Sequence, residues 1–295
     1  MAPHRWAIIL AAGDGARVRD LTRDGAGLTL PKQFWSPGGS GPMIRWTLKR
    51  ASRLASMDRI VTVVAAQHGR YWKAALPPEI LARVVVQPEN RGTAAGVLLP
   101  LLRVSGSDPD ATVAILPADH AVEAEGVLLR ALHRAFDLVE RGRRVLLLGI
   151  TPDLPDPSYG WIVSGHPEED GSRPILSFRE KPAPSLARDL YVGGAHWSSF
   201  ILVARARALL SMYESGAPAL LRSLARALPG DLERVYSGLP SLDFSRDLLE
   251  RATSDLRLLV VPPCGWTDLG TPDRIERWMG PEEAGRLEPA QAGAV

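Results

Sequence analysis

Residues 6–12 read WAIILAA and residues 13–17 read GDGAR, and this junction decides how the chain is read. Trp6 to Ala12 is a short apolar run of the length of a buried strand. It opens at once into a loop in which Gly13 and Gly15 flank Asp14, with Ala16 and Arg17 behind them. Glycine lets a backbone turn sharply and bring its N–H groups close to an anion. Arg17, and Lys32 in the Pro31-Lys32-Gln33-Phe34 stretch, add positive charge where a chain of phosphates would lie. Lysine is scarce: of 35 basic residues only Lys32, Lys49, Lys73 and Lys181 are lysines. Two of these four sit in Pro31-Lys32-Gln33 and Glu180-Lys181-Pro182, as if a compact ammonium were required there.

Outward from this junction, apolar runs alternate with helical periodicity. Strands are expected at Ala7–Ala12, Ile60–Ala65, Val84–Gln87, Thr112–Leu116 and Val145–Ile150. Helices are expected at Met43–Ala55, Thr93–Arg103 and Val127–Arg141, the last placing Leu128, Leu132, Ala135 and Val139 at helical spacing. Such alternation indicates βαβ units: a doubly wound, mostly parallel, Rossmann-like α/β sheet with helices on both faces. After Thr151 the pattern changes. Gly160–Ser164 and Ile175–Glu180 read as an inserted antiparallel pair, followed by a strand at Ser199–Val203, helices over 205–228 and 244–252, and a last strand at Leu256–Val261. One domain over 1–280 is expected, in two halves of about 1–150 and about 151–280. Residues 281–295, rich in Ala, Gly, Pro and Glu, read as a disordered tail.

Composition narrows the function classes. A chain 45% hydrophobic and 23% charged is ordinary for a globular protein. A net charge of +2, with no basic cluster interleaved with aromatics, speaks against a nucleic-acid partner. Cys264 is the only cysteine, which excludes an intrachain disulfide and cysteine-based metal clusters. The apolar run at the N-terminus is too short for a signal peptide and is followed by a glycine loop. No stretch approaches the ~18 apolar residues of a membrane helix. These readings predict a cytoplasmic protein without a membrane partner, and leave assembly as a homo-oligomer open.

In an open parallel sheet, ligands bind at the carboxyl ends of the strands. Polar clusters fall there repeatedly: Gly13–Arg17, Gln87–Thr93, Pro117–His120, Glu180–Pro182 and Trp266–Asp268. Asp119 is the leading Mg²⁺ ligand, since that ion takes a few carboxylates together with phosphate oxygens and water. Asp268 is the candidate for a second carboxylate. Gln87 offers a donor and an acceptor to a base edge, and Gly92 permits close approach. Asn90 or Thr93 reads equally as the cap of the helix that follows. No Gly-x-Ser-x-Gly elbow, Walker A loop or dinucleotide fingerprint is present. The nucleophile is then expected to arrive with the substrate, as the ionised oxygen of a sugar phosphate does, leaving the protein to align groups and neutralise charge.

Leu10-Ala11-Ala12-Gly13-Asp14-Gly15-Ala16-Arg17, with Pro31-Lys32-Gln33-Phe34, resembles the nucleotidyltransferases that make nucleotide sugars. Gln87-Pro88-Glu89-Asn90-Arg91-Gly92-Thr93-Ala94 and Pro117-Ala118-Asp119-His120 are similar to the mannose-1-phosphate guanylyltransferases within that family. Tyr159-Gly160, Phe178-Arg179-Glu180-Lys181-Pro182 and Trp266-Thr267-Asp268-Leu269-Gly270 continue the pattern in order, so that it covers about residues 6–280. The resemblance implies Mg²⁺-dependent transfer of a nucleotidyl group from a nucleoside triphosphate, GTP in that subgroup, to a hexose 1-phosphate such as mannose 1-phosphate. It implies Arg17, Lys32 and Asp119 as catalytic residues. Leu10, Ala12, Gly13, Gly15, Ala16, Gln87, Asn90, Gly92 and Thr93 would bind the nucleotide. Gly160, Glu180, Lys181, Trp197 and Ser198 would bind the sugar phosphate, and Asp119 and Asp268 the metal. The chain departs from the subgroup at Ala12, in the long 17–32 loop with Gly25-Ala26-Gly27, and at Phe200, where the subgroup has glycine. Two other readings therefore stand: the same chemistry with CTP, UTP or dTTP and another sugar, or a catalytically silent regulatory subunit that binds nucleotide sugars.

Overall fold

The first strand, β1 (Arg5–Ala11), shows why the sheet is central. Its odd residues Ala7, Ile9 and Ala11 are buried on one face of the sheet and Trp6 and Ile8 on the other. A strand apolar on both faces must be covered on both. In the computed structural model, which describes residues 4–23, 29–142, 145–227 and 229–280, helices provide that cover. Helices α1 (Met43–Ala51), α2 (Gly69–Ala75) and α3 (Pro78–Leu81) follow in sequence, then α4 (Gly92–Ser107) and α5 (Glu125–Glu140). Residues of α1 and α5 pack on the Ala7/Ile9 face and those of α4 on the Trp6/Ile8 face. The expected tail at 281–295 and the Gly25-Ala26-Gly27 insert lie outside the described residues.

The other strands are β2 (Ile60–Ala65), β3 (Val84–Gln87), β4 (Thr112–Pro117), β5 (Val145–Ile150), β6 (Gly160–Ser164), β7 (Arg173–Glu180), β8 (His196–Arg205) and β9 (Leu256–Val261). They form one nine-stranded sheet in the order β3-β2-β1-β4-β8-β5-β9-β7-β6. The expectation of a mostly parallel sheet is corrected here. Pairings β3–β2, β2–β1, β1–β4 and β5–β9 are parallel, but β8 runs antiparallel between β4 and β5, and β6 and β7 pair antiparallel. The cause is the excursion after β5. The chain makes the β6–β7 hairpin and re-enters the sheet beside β4 from the opposite end. The inserted antiparallel region is present, and β6 pairs with the first residues of β8.

β8 carries the irregularity that matters for the site. Against β5 its register shifts between the Gly149↔Ser198 and Leu147↔Leu202 pairs, a bulge centred on Phe200. Bulges re-aim side chains where they occur. Elsewhere the 205–228 helix divides into α7 (Ala206–Gly216) and α8 (Pro218–Ala225). Pro218 has no N–H to continue the helix and Ala217 leaves the helical region at φ −144. The 244–252 segment is a π-turn over Phe244–Leu248 and a 3₁₀ turn over Leu249–Arg251, not an α-helix. Sequence periodicity also misses α2, α3, α6 (Pro184–Val192), α9 (Leu232–Ser237) and α10 (Pro272–Met279). Each is only four to nine residues long, shorter than the window over which helical periodicity is read.

Candidate active site

The carboxyl ends of β1, β3, β4 and β9, the end of β7, and the starts of β6 and β8 all surround one cavity of about 430 Å³. That volume lies in the range of small-ligand sites. Among the expected residues its wall takes Leu10, Ala12, Gly13, Gly15, Arg17, Gln87, Asn90, Gly92, Thr93, Asp119, Gly160, Glu180, Lys181, Ser198 and Asp268. Lys32 is buried beside this wall and Trp197 is buried behind it; the side chain of Ala16 lies outside the described residues.

The glycine loop follows β1. Gly15 has φ +61, and a Cβ there would lie 3.1 Å from the Lys32 backbone nitrogen, so loop and lysine are closely packed. Gln33, buried, donates from Nε2 to the carbonyls of Ala11 and Gly13, both at 2.9 Å. It holds the loop open from below and lines the cavity, a role its sequence motif did not disclose.

Asp119 and Asp268 are far apart in sequence and meet through a short antiparallel bridge. Ala121 N–H donates to the Thr267 carbonyl at 2.9 Å and Thr267 N–H to the Ala121 carbonyl at 3.0 Å. Lys32 Nζ lies 2.8 Å from Asp119 Oδ2 and also donates to the Asp268 backbone carbonyl. Burial is the largest influence and pushes both carboxyls up, but the surrounding positive charge, led by the Lys32 ammonium and joined by Arg274 at Asp268, together holds both below the usual range. His120 is buried, which drives its pKa down to about 4. Trp266 Nε1 donates to His120 Nδ1 at 3.3 Å, which assigns the proton of the neutral ring to Nε2, on the Asp119 side.

Arg274, from α10, is the second residue that no sequence signal marked. It is only 6% exposed, and its Nη1 donates to Asp268 Oδ1 at 2.5 Å. Its Nη2 donates to Asp156 Oδ2 and Ser158 Oγ, and its guanidinium lies 3.8 Å over the Tyr159 ring. Tyr159 Oη and Gly270 N–H also donate to Asp268 Oδ1, at 3.1 and 2.9 Å. One oxygen of Asp268 is therefore fully engaged by the protein and the other is not.

On the cavity wall Gln87 is buried and its amide donates to Tyr236 Oη at 3.1 Å. Burial raises the Tyr236 phenol to about 12, so it stays protonated. Gly92 has φ +81, and a Cβ would strike the Leu242 carbonyl at 2.2 Å; only glycine fits. Neither Thr93 nor Asn90 caps α4, whose N-cap is Arg91 with no side-chain cap bond. Instead Thr93 Oγ1 accepts from Phe244 N–H at 2.7 Å, and Asn90 accepts from Gly92 N–H at 3.0 Å while donating to Asp14 Oδ2 at 3.2 Å.

Also on the wall, Glu180 has a side chain only 10% exposed, and burial raises its pKa despite Lys181, whose Nζ lies 3.1 Å away. A Cβ at Gly160 would lie 2.7 Å from Glu180 Oε2 and 3.1 Å from the Phe178 ring, so a side chain there would push the Glu180 carboxyl aside. Trp197 does not line the cavity: it supports Tyr159 from behind, with ring centroids 4.5 Å apart. Phe200 does line it and packs on Phe244 at 5.9 Å. Among the described residues, the non-glycine residues at positive φ are Lys181 (+48), Phe200 (+58) and Leu269 (+46). Two line the cavity and the third follows Asp268. Strained backbone clusters at functional sites because the surrounding structure is built to hold it there.

The donor set fits a small divalent cation. Asp119 Oδ1 and Asp268 Oδ2 have no close protein donor beyond His120 at 3.9 Å among the described residues, and both aspartates line the cavity. Among the described residues no group of three or more His, Cys, Asp or Glu side chains could cage a metal by itself. Two carboxylates with the rest of the shell left to phosphate and water is the arrangement Mg²⁺ favours.

A glycine loop and two converging carboxylates at one pole of an α/β sheet characterise proteins that hold phosphorylated ligands. The chain belongs to the nucleotidyl transferase family, whose sequence model matches residues 6–279. It is 27% identical over 281 residues to a putative mannose-1-phosphate guanylyltransferase of Vibrio cholerae, covering 90% of this chain and 58% of that one. It is 28% identical over 282 residues to the alginate biosynthesis protein AlgA of Pseudomonas aeruginosa, covering 90% and 56%. The chain thus spans somewhat over half the length of these curated relatives. A solved structure from Thermus thermophilus, described as a mannose-1-phosphate geranyltransferase, superimposes with a TM-score of 0.82 at 25% identity, over 93% of this chain and 78% of that one. No helix among the described residues is long and apolar enough to cross a membrane.

Proposed function

We propose that the protein transfers a nucleotidyl group from a nucleoside triphosphate to a hexose 1-phosphate, releasing pyrophosphate, with GTP and mannose 1-phosphate as the substrate pair. One observation carries this reading: Asp119 and Asp268, joined through Lys32, face the same cavity as Gln87–Thr93 and Glu180–Lys181. The carboxylate pair is where an α-phosphate and an incoming sugar phosphate would meet. The substrate pair is supported by the names of the relatives and by the QPENRGTA stretch.

The chain's own groups divide the work. Backbone N–H groups of the glycine loop, with Arg17, cradle the β- and γ-phosphates. Gln87, held by Tyr236, presents its amide to the base edge. Glu180 accepts from sugar hydroxyls while Lys181 neutralises the sugar phosphate, whose oxygen is already ionised and needs no general base. Lys32 stabilises the charge that builds on the leaving pyrophosphate. Asp119 and Asp268 would hold Mg²⁺, which would supply charge neutralisation as two anions approach. Preorganisation and charge neutralisation are the main catalytic terms such a transfer needs.

The test is pyrophosphate release measured with GTP, CTP, UTP and dTTP against a panel of hexose 1-phosphates. Release fastest with GTP and mannose 1-phosphate is expected. Preference for another pair would retain the chemistry and replace the substrates; nucleotide-sugar binding without release from any pair would mark a silent regulatory subunit.

A further inference from the structure

We propose that Lys32 is the resident counter-ion of the Asp119–Asp268 pair, and that a divalent cation gains both carboxylates only when nucleotide phosphates draw the ammonium away. The inference rests on the function proposed above and adds an order to it: the cation enters with the nucleotide, not ahead of it.

Charge balance within the site carries the argument. Asp119 and Asp268 bring like charges to one cavity wall, and Lys32 contacts both residues. Arg274 serves Asp268 at 2.5 Å. Asp119 Oδ2 is paired with Lys32 at 2.8 Å, while His120 Nε2 stands off its other oxygen at 3.9 Å. Lys32 reaches both members at once, Asp119 Oδ2 at 2.8 Å and the Asp268 backbone carbonyl, from a side chain 5% exposed. Arg274 is itself shared between Asp268 and Asp156, so Lys32 is the cation committed to Asp119. A bare divalent ion at this pair would sit against that ammonium at short range, which is costly.

A triphosphate removes that obstacle in two ways. It brings negative charge with the ion, and it offers Lys32 a stronger set of acceptors. The ammonium sits on a flexible four-carbon stem, whereas its backbone is packed against Gly15 and fixed beside Gln33. The space over Gly13 is open, with no atom within 4 Å of where a Cβ would lie, so the head group has a short path to the glycine loop. Departure of the ammonium uncovers Asp119 Oδ2 and unmasks the like-charge repulsion that the arriving ion then relieves.

The consequence runs against ordinary expectation for a substrate-binding lysine: neutralising it should strengthen metal binding to the nucleotide-free protein. Free Mn²⁺ counted by electron paramagnetic resonance gives the dissociation constant directly, without turnover. Wild type should bind Mn²⁺ weakly in the absence of nucleotide. Lys32→Gln should bind it at least about tenfold more tightly, since one neighbouring unit charge has been removed. Lys32→Arg, which keeps the charge, should stay weak, and Lys32→Gln combined with Asp268→Asn should return to the wild-type level. Near-ultraviolet circular dichroism checks that each variant is folded. Binding by Lys32→Gln no tighter than wild type overturns the proposal. So does tight, stoichiometric Mn²⁺ binding by wild type without nucleotide, a result that needs no variant to fold. If no nucleotide pair gives pyrophosphate, the functional reading fails on its own assay and the Mn²⁺ comparison still decides the counter-ion role.

Discussion

Phe200 is a half-buried aromatic at φ +58, on the bulge of β8, with its ring against Phe244 and one edge in the cavity. Two energies oppose there. A bulky side chain in the left-handed region costs on the order of 1–3 kcal/mol. Complete burial of a phenylalanine is worth ~3–5 kcal/mol against alanine, so a half-buried ring with one aromatic contact contributes about 2. Phe200→Ala loses the ring and keeps most of the backbone strain, and should cost about 2 kcal/mol. Phe200→Gly loses the ring and releases the strain, and should cost about 1 or less. Glycine should therefore be more stable than alanine at this position by ~1 kcal/mol, the reverse of the usual order within a strand. Urea denaturation of the three proteins at one pH reads this directly. Alanine equal to or more stable than glycine would refute the strain. The same variants test the pocket: Phe200→Gly should broaden the range of hexose phosphates accepted without changing nucleotide choice. A large stability loss with unchanged acceptor choice would reduce the ring to packing.

Asp119→Asn and Asp268→Asn should each reduce turnover strongly at saturating Mg²⁺ while the fold survives; near-normal activity in both would remove the metal site from these residues. Lys32→Ala should lower kcat about a hundredfold, or ~3 kcal/mol of transition-state stabilisation, with a smaller rise in the nucleotide KM; an effect confined to KM would make it a ground-state contact. His120 has a folded pKa of about 4 against an ordinary 6.5, so the unfolded chain takes up the proton first as pH falls. Stability should be full above about pH 6.5 and decline towards pH 4, by about 3 kcal/mol in all. His120→Gln in chelator should flatten that window in urea denaturation, and an unchanged slope would assign it to other groups.

The alternation of apolar runs fixed most of the sheet in advance. Five strands end to end match their expected limits, Ile60–Ala65, Val84–Gln87, Val145–Ile150, Gly160–Ser164 and Leu256–Val261, because each is buried and bounded by a turn. The polar clusters at strand ends were legible for the same local reason: a strand's end and the loop after it are contiguous in sequence. Helices shorter than three turns left no such trace, because periodicity needs a longer window. Nor did Arg274, an arginine among 31, whose role comes from what it touches and not from its neighbours in the chain.

By itself the sequence determined an α/β protein with a glycine loop, a small set of strand-end carboxylates and lysines, and the family those motifs resemble. Periodicity and turn chemistry are short-range properties and survive in a linear reading. Only the tertiary structure decided that β8 enters antiparallel between β4 and β5, which makes the sheet mixed and sets Phe200 at a left-handed bulge on the cavity wall. It alone joined Ala121 to Thr267, bringing Asp119, Asp268 and Lys32 within bonding distance. Pairings of this kind depend on strand order and on packing between distant segments, and no local pattern of residues records them.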